Sequence, residues 1–247
     1  MVDRSGSEER ISSAQADYDS LRHVSPEQPC PYLEGRMARS EAYCVDQLDP
    51  TMYQKLLARG FRRSGRIVYR PRCRACRECR QLRIPVQQFA PTRSMRRVLR
   101  RNSDLDVRVG SPTVNDEKFK LYEQYLNHQH NGSMSRTLES FREFLYDSPT
   151  QTYEFAYTLG EQLIGVSIAD RVPDGLSSVY MYFDPQFADR SLGTFSILWE
   201  AQFCRQEGLA YYYLGFFVAG SQTMSYKARF APNEILVGDD RWVTLRI

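Results

Sequence analysis

Residues 69–86, YRPRCRACRECRQLRIPV, place Cys73, Cys76 and Cys79 three apart inside a run of arginines. A tight turn brings thiols at this spacing together, and thiolates are soft ligands suited to zinc or an iron-sulfur cluster. Zinc knuckles come as two separated pairs, four ligands in all, so these three cysteines leave one ligand to be found elsewhere. Thiols beside guanidiniums also oxidise readily, because positive charge favours the thiolate. A metal centre, a redox-sensitive set and unmetallated thiols near a basic surface all stay open on the spacing alone.

The arginines carry a second chemistry. Between Arg59 and Arg101 every basic side chain is arginine and Glu78 is the only acid, although the whole chain has a formal net charge of only +3. Guanidinium forks bind phosphate in bidentate fashion, so this local excess predicts a polyanionic partner; the alternative is a solvated face balanced by acids elsewhere.

These side chains need elements to hold them. RIVYRP and QLRIPVQQF read as strands flanking the cysteine turn. DPTMYQKLLARGF reads as a helix with Asp49 as N-cap, Pro50 in its first turn and Gly60 at its end. RSMRRVLRRN predicts a basic helix and DLDVRVG a strand. The composition shifts at SPTVNDEKF. Beyond it, NDEKFKLYEQYLNHQH and TLESFREFLYD carry apolar and aromatic residues at helical spacing, the second after a cap at Thr137. TYEFAYTLGEQLIGVSIADRV predicts two strands turning at Gly160, GLSSVYMYFDP a third, RSLGTFSILWEAQFCRQEGL an amphipathic helix and AYYYLGFF a buried strand.

The chain of 247 residues, 42% hydrophobic, is long enough for a sizeable core in one large or two small domains. Six unevenly placed cysteines do not make the disulfide framework of a small secreted domain. No run approaches the roughly 18 apolar residues of a membrane span, and the first 25 residues lack the apolar core of a signal peptide. A cytoplasmic protein without membrane attachment is predicted, its oligomeric state open. The division expected is a flexible polar tail (1–22), a cysteine- and arginine-bearing region (23–110) and a C-terminal domain (111–247).

Three strands, a glycine-entered helix and a further strand form the core order of the acetyltransferase-type acyltransferase fold. There, amides at a loop and helix N-terminus hold a phosphate of the acyl carrier. RSLGT, with Arg190 and Gly193, occupies that place. The predicted class is α+β, with an acetyltransferase-like C-terminal half behind a basic N-terminal region.

CPYLEGRMA, GFRRSG, YRPRCRACRECRQLRIPV, RRVLRRNSDL, SSVYMYFDP, RSLG, YYYLGFF and MSYKARFAP, in this order, resemble the bacterial branch of the arginyl-tRNA protein transferase family, the aspartate/glutamate leucyltransferases. The resemblance implies transfer of leucine from leucyl-tRNA to the α-amine of proteins beginning with Asp or Glu, marking them for degradation. No cofactor is implied for the transfer itself. The tRNA ester is already activated, and an α-amine of pKa near 8 is about one-tenth unprotonated at pH 7, so no Ser or Cys nucleophile is needed.

On this resemblance Arg62, Arg63, Lys227 and Arg229 are the cations for the acidic side chain. Asp170 and Asp184, helped by Tyr226, hold or deprotonate the amine. Arg190 and Gly193 meet the tRNA end. Cys30 of CPYL would join Cys73, Cys76 and Cys79 as the fourth thiolate for zinc or an iron-sulfur cluster; where eukaryotic relatives have a second cysteine in that motif, Leu33 stands here. His128 and His130 lie where the family has a basic residue beside one histidine. Two further readings compete: arginyl transfer to the same acceptors, and a non-catalytic zinc-ribbon-like nucleic-acid-binding protein.

Overall fold

The computed structural model describes residues 22–129 and 137–246; residues 1–21 of the expected tail, and His130, lie outside the described residues. The chain opens with strands β1 (Arg22–Val24), β2 (Gln28–Pro29), β3 (Met37–Ala38) and β4 (Ser40–Cys44), then helix α1 (Pro50–Ala58). Both ends of α1 are written in its sequence. Asp49 accepts from the amides of Thr51 and Met52 at 2.9 and 3.1 Å, and Pro50 presets the first turn. Gly60, at φ +85°, turns the chain away from the helix end. Strands β5 (Arg62–Ser64) and β6 (Ile67–Pro71) complete an antiparallel sheet in the order β1-β4-β6-β5.

Beyond it come β7 (Arg80–Pro85), α2 (Arg93–Arg101), β8 (Leu105–Gly110), α3 (Asp116–Gln129) and α4 (Leu138–Phe141), which widens into a π turn over Arg142–Tyr146. Then follow β9 (Thr152–Leu159), β10 (Gln162–Val172), β11 (Gly175–Phe183) and a 3-10 turn over Pro185–Arg190. Helix α5 (Leu192–Gln206), β12 (Tyr211–Phe217), a second 3-10 turn over Ser225–Arg229 and the hairpin β13 (Glu234–Val237) and β14 (Arg241–Thr244) end the described chain.

Among the described residues the larger sheet has eight strands in the order β14-β13-β7-β12-β11-β10-β9-β8. Every neighbouring pair is antiparallel except β11 and β12. The α+β class and the run of three strands, helix and strand match the sequence expectation. Strand β7, which precedes residue 111, lies between β12 and β13, so the expected regions 23–110 and 111–247 share one sheet.

Helix α5 covers one face because its apolar residues recur at helical spacing: Leu192, Phe195 and Leu198 are buried in the same core as Phe155 and Tyr157 of β9. Trp199 and Phe203, four apart, stack at 6.0 Å. The β13–β14 hairpin is fastened by Arg83, whose guanidinium lies 3.6 Å from the Tyr211 ring centroid and 4.1 Å from that of Trp242 while its Nε donates to Glu234 at 2.7 Å. No helix among the described residues is long and apolar enough to cross a membrane.

Candidate active site

Parallel strands β11 and β12 pair only over Gly175–Ser177 and Tyr211–Tyr213. The register of β12 against β7 then shifts at Gly215, and the two parallel strands separate into a fork. Divergence strands backbone groups on both arms, which must find other partners. Arg62 of β5 supplies them on one arm, donating to the carbonyls of Ser178 and Val179 at 2.5 and 3.4 Å. Lys227 supplies the other, its Nζ donating to the Phe216 carbonyl at 2.8 Å. Gly215 is required here: its φ is +78°, and a Cβ on it would overlap the Arg62 guanidinium.

Lys227 is buried, with the Met224 thioether at 3.5 Å. Burial first, and the Arg62 charge second, hold its ammonium well below the usual lysine range. Next to it, burial raises the Tyr226 phenol, while Arg62 and Arg229 pull it the other way. Arg229 is exposed. Three of the expected residues, Arg62, Tyr226 and Lys227, therefore meet in the fork.

Asp184 follows β11 and caps the 3-10 turn: its Oδ1 accepts from the Gln186 amide at 2.9 Å, and its Oδ2 has no hydrogen-bond partner among the described residues. The turn delivers the chain to α5 through Ser191, at φ 56°, and no side chain caps that helix N-terminus. Gly193 lies in the first turn, where an added Cβ would meet nothing within 4 Å. Arg190 forms a bidentate pair with Asp104 at 2.8 and 3.0 Å and donates to the Arg101 carbonyl at 3.2 Å. Asn102 returns a bond to the Arg190 carbonyl at 2.9 Å. The end of α2 is thus tied to the start of α5.

Arg93, Arg96, Arg97, Arg100 and Arg101 are all exposed on α2, whose inward residue is Met95. No carboxylate among the described residues lies within ion-pair distance of them. They form a convex basic ridge running toward the α5 N-terminus.

Asp170 and Arg63 occupy a different place from the one expected. Both side chains are fully buried: Arg63 Nε and Nη2 each donate to the carboxylate at 2.8 Å, and Thr152 donates to it at 2.7 Å. With three donors and no exposure, the Asp170 carboxylate is out of reach of a bound amine, and Arg63 has no face left for an acidic substrate. The pair fastens the smaller sheet to the larger one.

Tyr125 and Phe144, on segments read from the sequence as helices with one buried face, join Tyr180 and Phe183 of β11 in an aromatic wall along the outer arm of the fork. The Tyr125 ring lies 5.2 Å from Phe183 and 6.2 Å from Tyr180, which is 5.1 Å from Phe144. Tyr125 also senses Tyr226 electrostatically; burial, then Tyr226, raises its phenol to about 12. The aromatic spacing of KLYEQYL was the available signal. His128 is exposed near the end of α3.

The four cysteines of the expected metal set share one neighbourhood. Burial first, then the thiols of Cys30, Cys73 and Cys76, push Cys79 up to about 12. Arg36 Nη1 lies 3.4 Å from the Cys76 sulfur, linking the two cysteine segments. Four soft donors of this kind suit zinc or an iron-sulfur cluster. As placed, no three metal-ligand side chains among the described residues converge on one point, and all six cysteines are unpaired.

A fork of parallel strands beside an uncapped helix end, with a basic ridge leading to it, is a frame for an enzyme that takes an acyl group from a polyanionic carrier. The chain matches the pattern of the arginine-tRNA-protein transferase N terminus over residues 28–97 and that of the C terminus over residues 117–237. It is 39% identical over 228 residues to the aspartate/glutamate leucyltransferase of Hahella chejuensis, covering 90% of this chain and 96% of that one. It is 44% identical over 239 residues to the enzyme of the same name from Stenotrophomonas maltophilia, covering 91% and 93%. Among solved structures, the C-terminal domain of a putative lysylphosphatidylglycerol synthetase from Agrobacterium fabrum is similar with TM-score 0.47 and 15% identity, covering 76% of this chain and 56% of that one. The chain belongs to the arginine-tRNA-protein transferase family and is an aminoacyltransferase.

Proposed function

We propose that this protein transfers leucine from leucyl-tRNA to the α-amine of proteins that begin with aspartate or glutamate, creating a degradation signal. The observation that carries the proposal is the fork between β11 and β12, bordered by the uncapped N-terminus of α5 and approached by the arginines of α2. The relatives' names give the donor and acceptor classes.

The amine nitrogen attacks the ester carbonyl of the leucyl group, the bond to the ribose oxygen breaks, and the amine's proton leaves as the tRNA hydroxyl forms. Asp184, through Oδ2, is our choice to hold the incoming ammonium and take its proton, since its other oxygen is fixed by the turn it caps. Tyr226 stands beside Lys227 to orient the reacting groups. Arg62 and Lys227 hold the two arms of the fork at a fixed opening, which is the alignment the reaction needs. The aromatic wall of Tyr125, Phe144, Tyr180 and Phe183 is our choice for the surface that receives the apolar leucine side chain.

Within this reading, the α2 ridge of region 23–110 binds tRNA, and region 111–247 carries the transfer, with Arg190 and Gly193 near the tRNA end. Arg229, exposed at the fork, is available to either substrate. Cys30, Cys73, Cys76 and Cys79 would hold zinc or an iron-sulfur cluster as a clamp between two loops; the transfer step uses other residues.

The test is transfer of radiolabel from separately charged leucyl- and arginyl-tRNA to peptides starting with Asp, Glu, Lys or Ala. Leucine labelling confined to the Asp and Glu peptides is expected. Labelling by arginine would overturn the donor, and no labelling with either tRNA would overturn the activity.

A further inference from the structure

The β6–β7 connection and the β13–β14 turn enclose a cavity of about 610 Å³ that the fork residues do not line. Its wall carries Arg59, Arg70, Arg72, Arg77 and Arg80 against two carboxylates, Glu78 and Asp239, and one side of it is formed by Cys73, Cys76 and Cys79 of the cysteine cluster. The arginines differ in what already answers their charge. Arg70 and Arg72 both donate to Glu41 Oε2 at 2.9 Å. Burial works to raise the Glu41 pKa, but the hydrogen bonds from Arg72 and Arg70 more than offset it and hold the carboxyl below its usual range. Glu41 is therefore a fixed counter-charge behind the wall.

Asp239 is not fixed in that way. It projects from the hairpin turn, its side chain is 62% exposed, and it lies 3.4 and 3.2 Å from Arg70 and Arg72. Exposed pairs at such distances are weak and easily exchanged. Arg77 spends Nη1 on the carbonyls of Cys73 and Cys76. Arg59 and Arg80 have no carboxylate within ion-pair distance among the described residues, and Arg80 Nε is buried without a hydrogen-bond partner.

The cavity lies beside the fork. Arg80 and Gln81 pair with Phe217 and Phe216, and the Phe216 carbonyl is the one that holds Lys227. Its inner wall is thus one strand, about 4.8 Å, from an arm of the fork. Pro71, Leu236 and Val237 add apolar surface that fits side-chain methylenes.

We propose that this cavity receives the side-chain carboxylate of the acceptor protein's first residue, with Arg80 and Arg59, which no carboxylate among the described residues answers, as its partners, and with Asp239, held by Arg70 and Arg72, as a neighbouring like charge. The proposal rests on the acceptor class given above. A concave site whose charge is already partly answered suits one carboxylate, whereas a phosphate backbone suits the convex, uncompensated ridge of α2. It also reassigns the acid-binding role away from Arg63, which is spent on Asp170, and from Lys227, which is enclosed in the fork.

The experiment is direct binding of fluorescent peptides beginning with Asp, Glu, Asn or Ala to the full chain in the absence of tRNA, with tRNA binding measured separately. Arg80→Met should weaken the Asp and Glu peptides by about 10-fold, the worth of one charge-assisted hydrogen bond, and leave the Asn peptide and tRNA unchanged. Asp239→Asn, on an exposed turn, removes a like charge from the cavity and should tighten the acidic peptides several-fold. If Arg80→Met weakens tRNA instead, the cavity holds a phosphate and the proposal fails. It fails equally if Arg229→Ala, and neither cavity variant, changes acidic-peptide binding. Peptide binding of the expected pattern without any leucine transfer would overturn the activity and leave the cavity's role standing.

Discussion

Two sets of arginines border the fork, and their surroundings differ. In β5, β6 and the β6–β7 connection the guanidiniums are largely spent inside the fold: Arg63 is buried against Asp170, Arg70 and Arg72 share Glu41, and Arg62 and Arg77 donate to backbone carbonyls. Those of α2 stand on an exposed helix face without an acid in the helix. The same residue type therefore does structural work in one region and remains available for a ligand in the other. Composition alone counts both sets as one basic patch; burial and counter-charge separate them.

The largest expected effect breaks the buried side of this comparison. Asp170→Ala would leave the Arg63 guanidinium enclosed without its partner, costing about 3–5 kcal/mol in urea unfolding. Glu200 of α5 sharpens the contrast, because it is a buried carboxylate answered by hydroxyls instead of guanidiniums: Ser167, Tyr212 and Tyr157 donate to it at 2.5, 2.6 and 3.0 Å. Burial lifts its pKa to about 7, with those hydroxyls pulling it down. A raised acid binds its proton more tightly in the folded state, so its stabilising contribution is present at low pH and is lost as pH rises from about 4.5 through 7. Relative to Glu200→Gln, the native chain should lose about 3 kcal/mol across that interval, read from urea midpoints at each pH. An equal pH slope in both proteins would contradict the assignment.

The exposed side should behave in the opposite way. Arg96→Ala, Arg97→Ala and Arg100→Ala together should change stability by no more than about 0.5 kcal/mol each. They should lower the slope of log tRNA affinity against log salt by about 2–3, one lost phosphate contact apiece. An unchanged slope would return α2 to being a solvated face.

Much of the frame was legible because its signals are local. Asp49, Pro50 and Gly60 delimit α1 as read, Gly160 turns β9 into β10, and the apolar spacing of α5 meets its core. The pairings that build the site were not legible. Nothing near residues 80–85 says that β7 lies between β12 and β13, and Asp170 looks like any acid near a strand end until Arg63, 107 residues away, is placed against it. The β13–β14 hairpin was missed although GDD marked its turn. The motif MSYKARFAP located Tyr226 and Lys227, but not that Lys227 faces a backbone carbonyl.

In the proposed mechanism two substrates reach one fork from two sides, tRNA over α2 and the acidic chain end over the Arg80 cavity. Its most direct test is the KM for leucyl-tRNA and for an Asp-first peptide in the native chain, in the triple α2 variant and in Arg80→Met. The α2 variant should raise only the tRNA KM and Arg80→Met only the peptide KM. If both variants raise the tRNA KM and neither moves the peptide KM, the arginines form one nucleic-acid surface and the two-sided account is wrong.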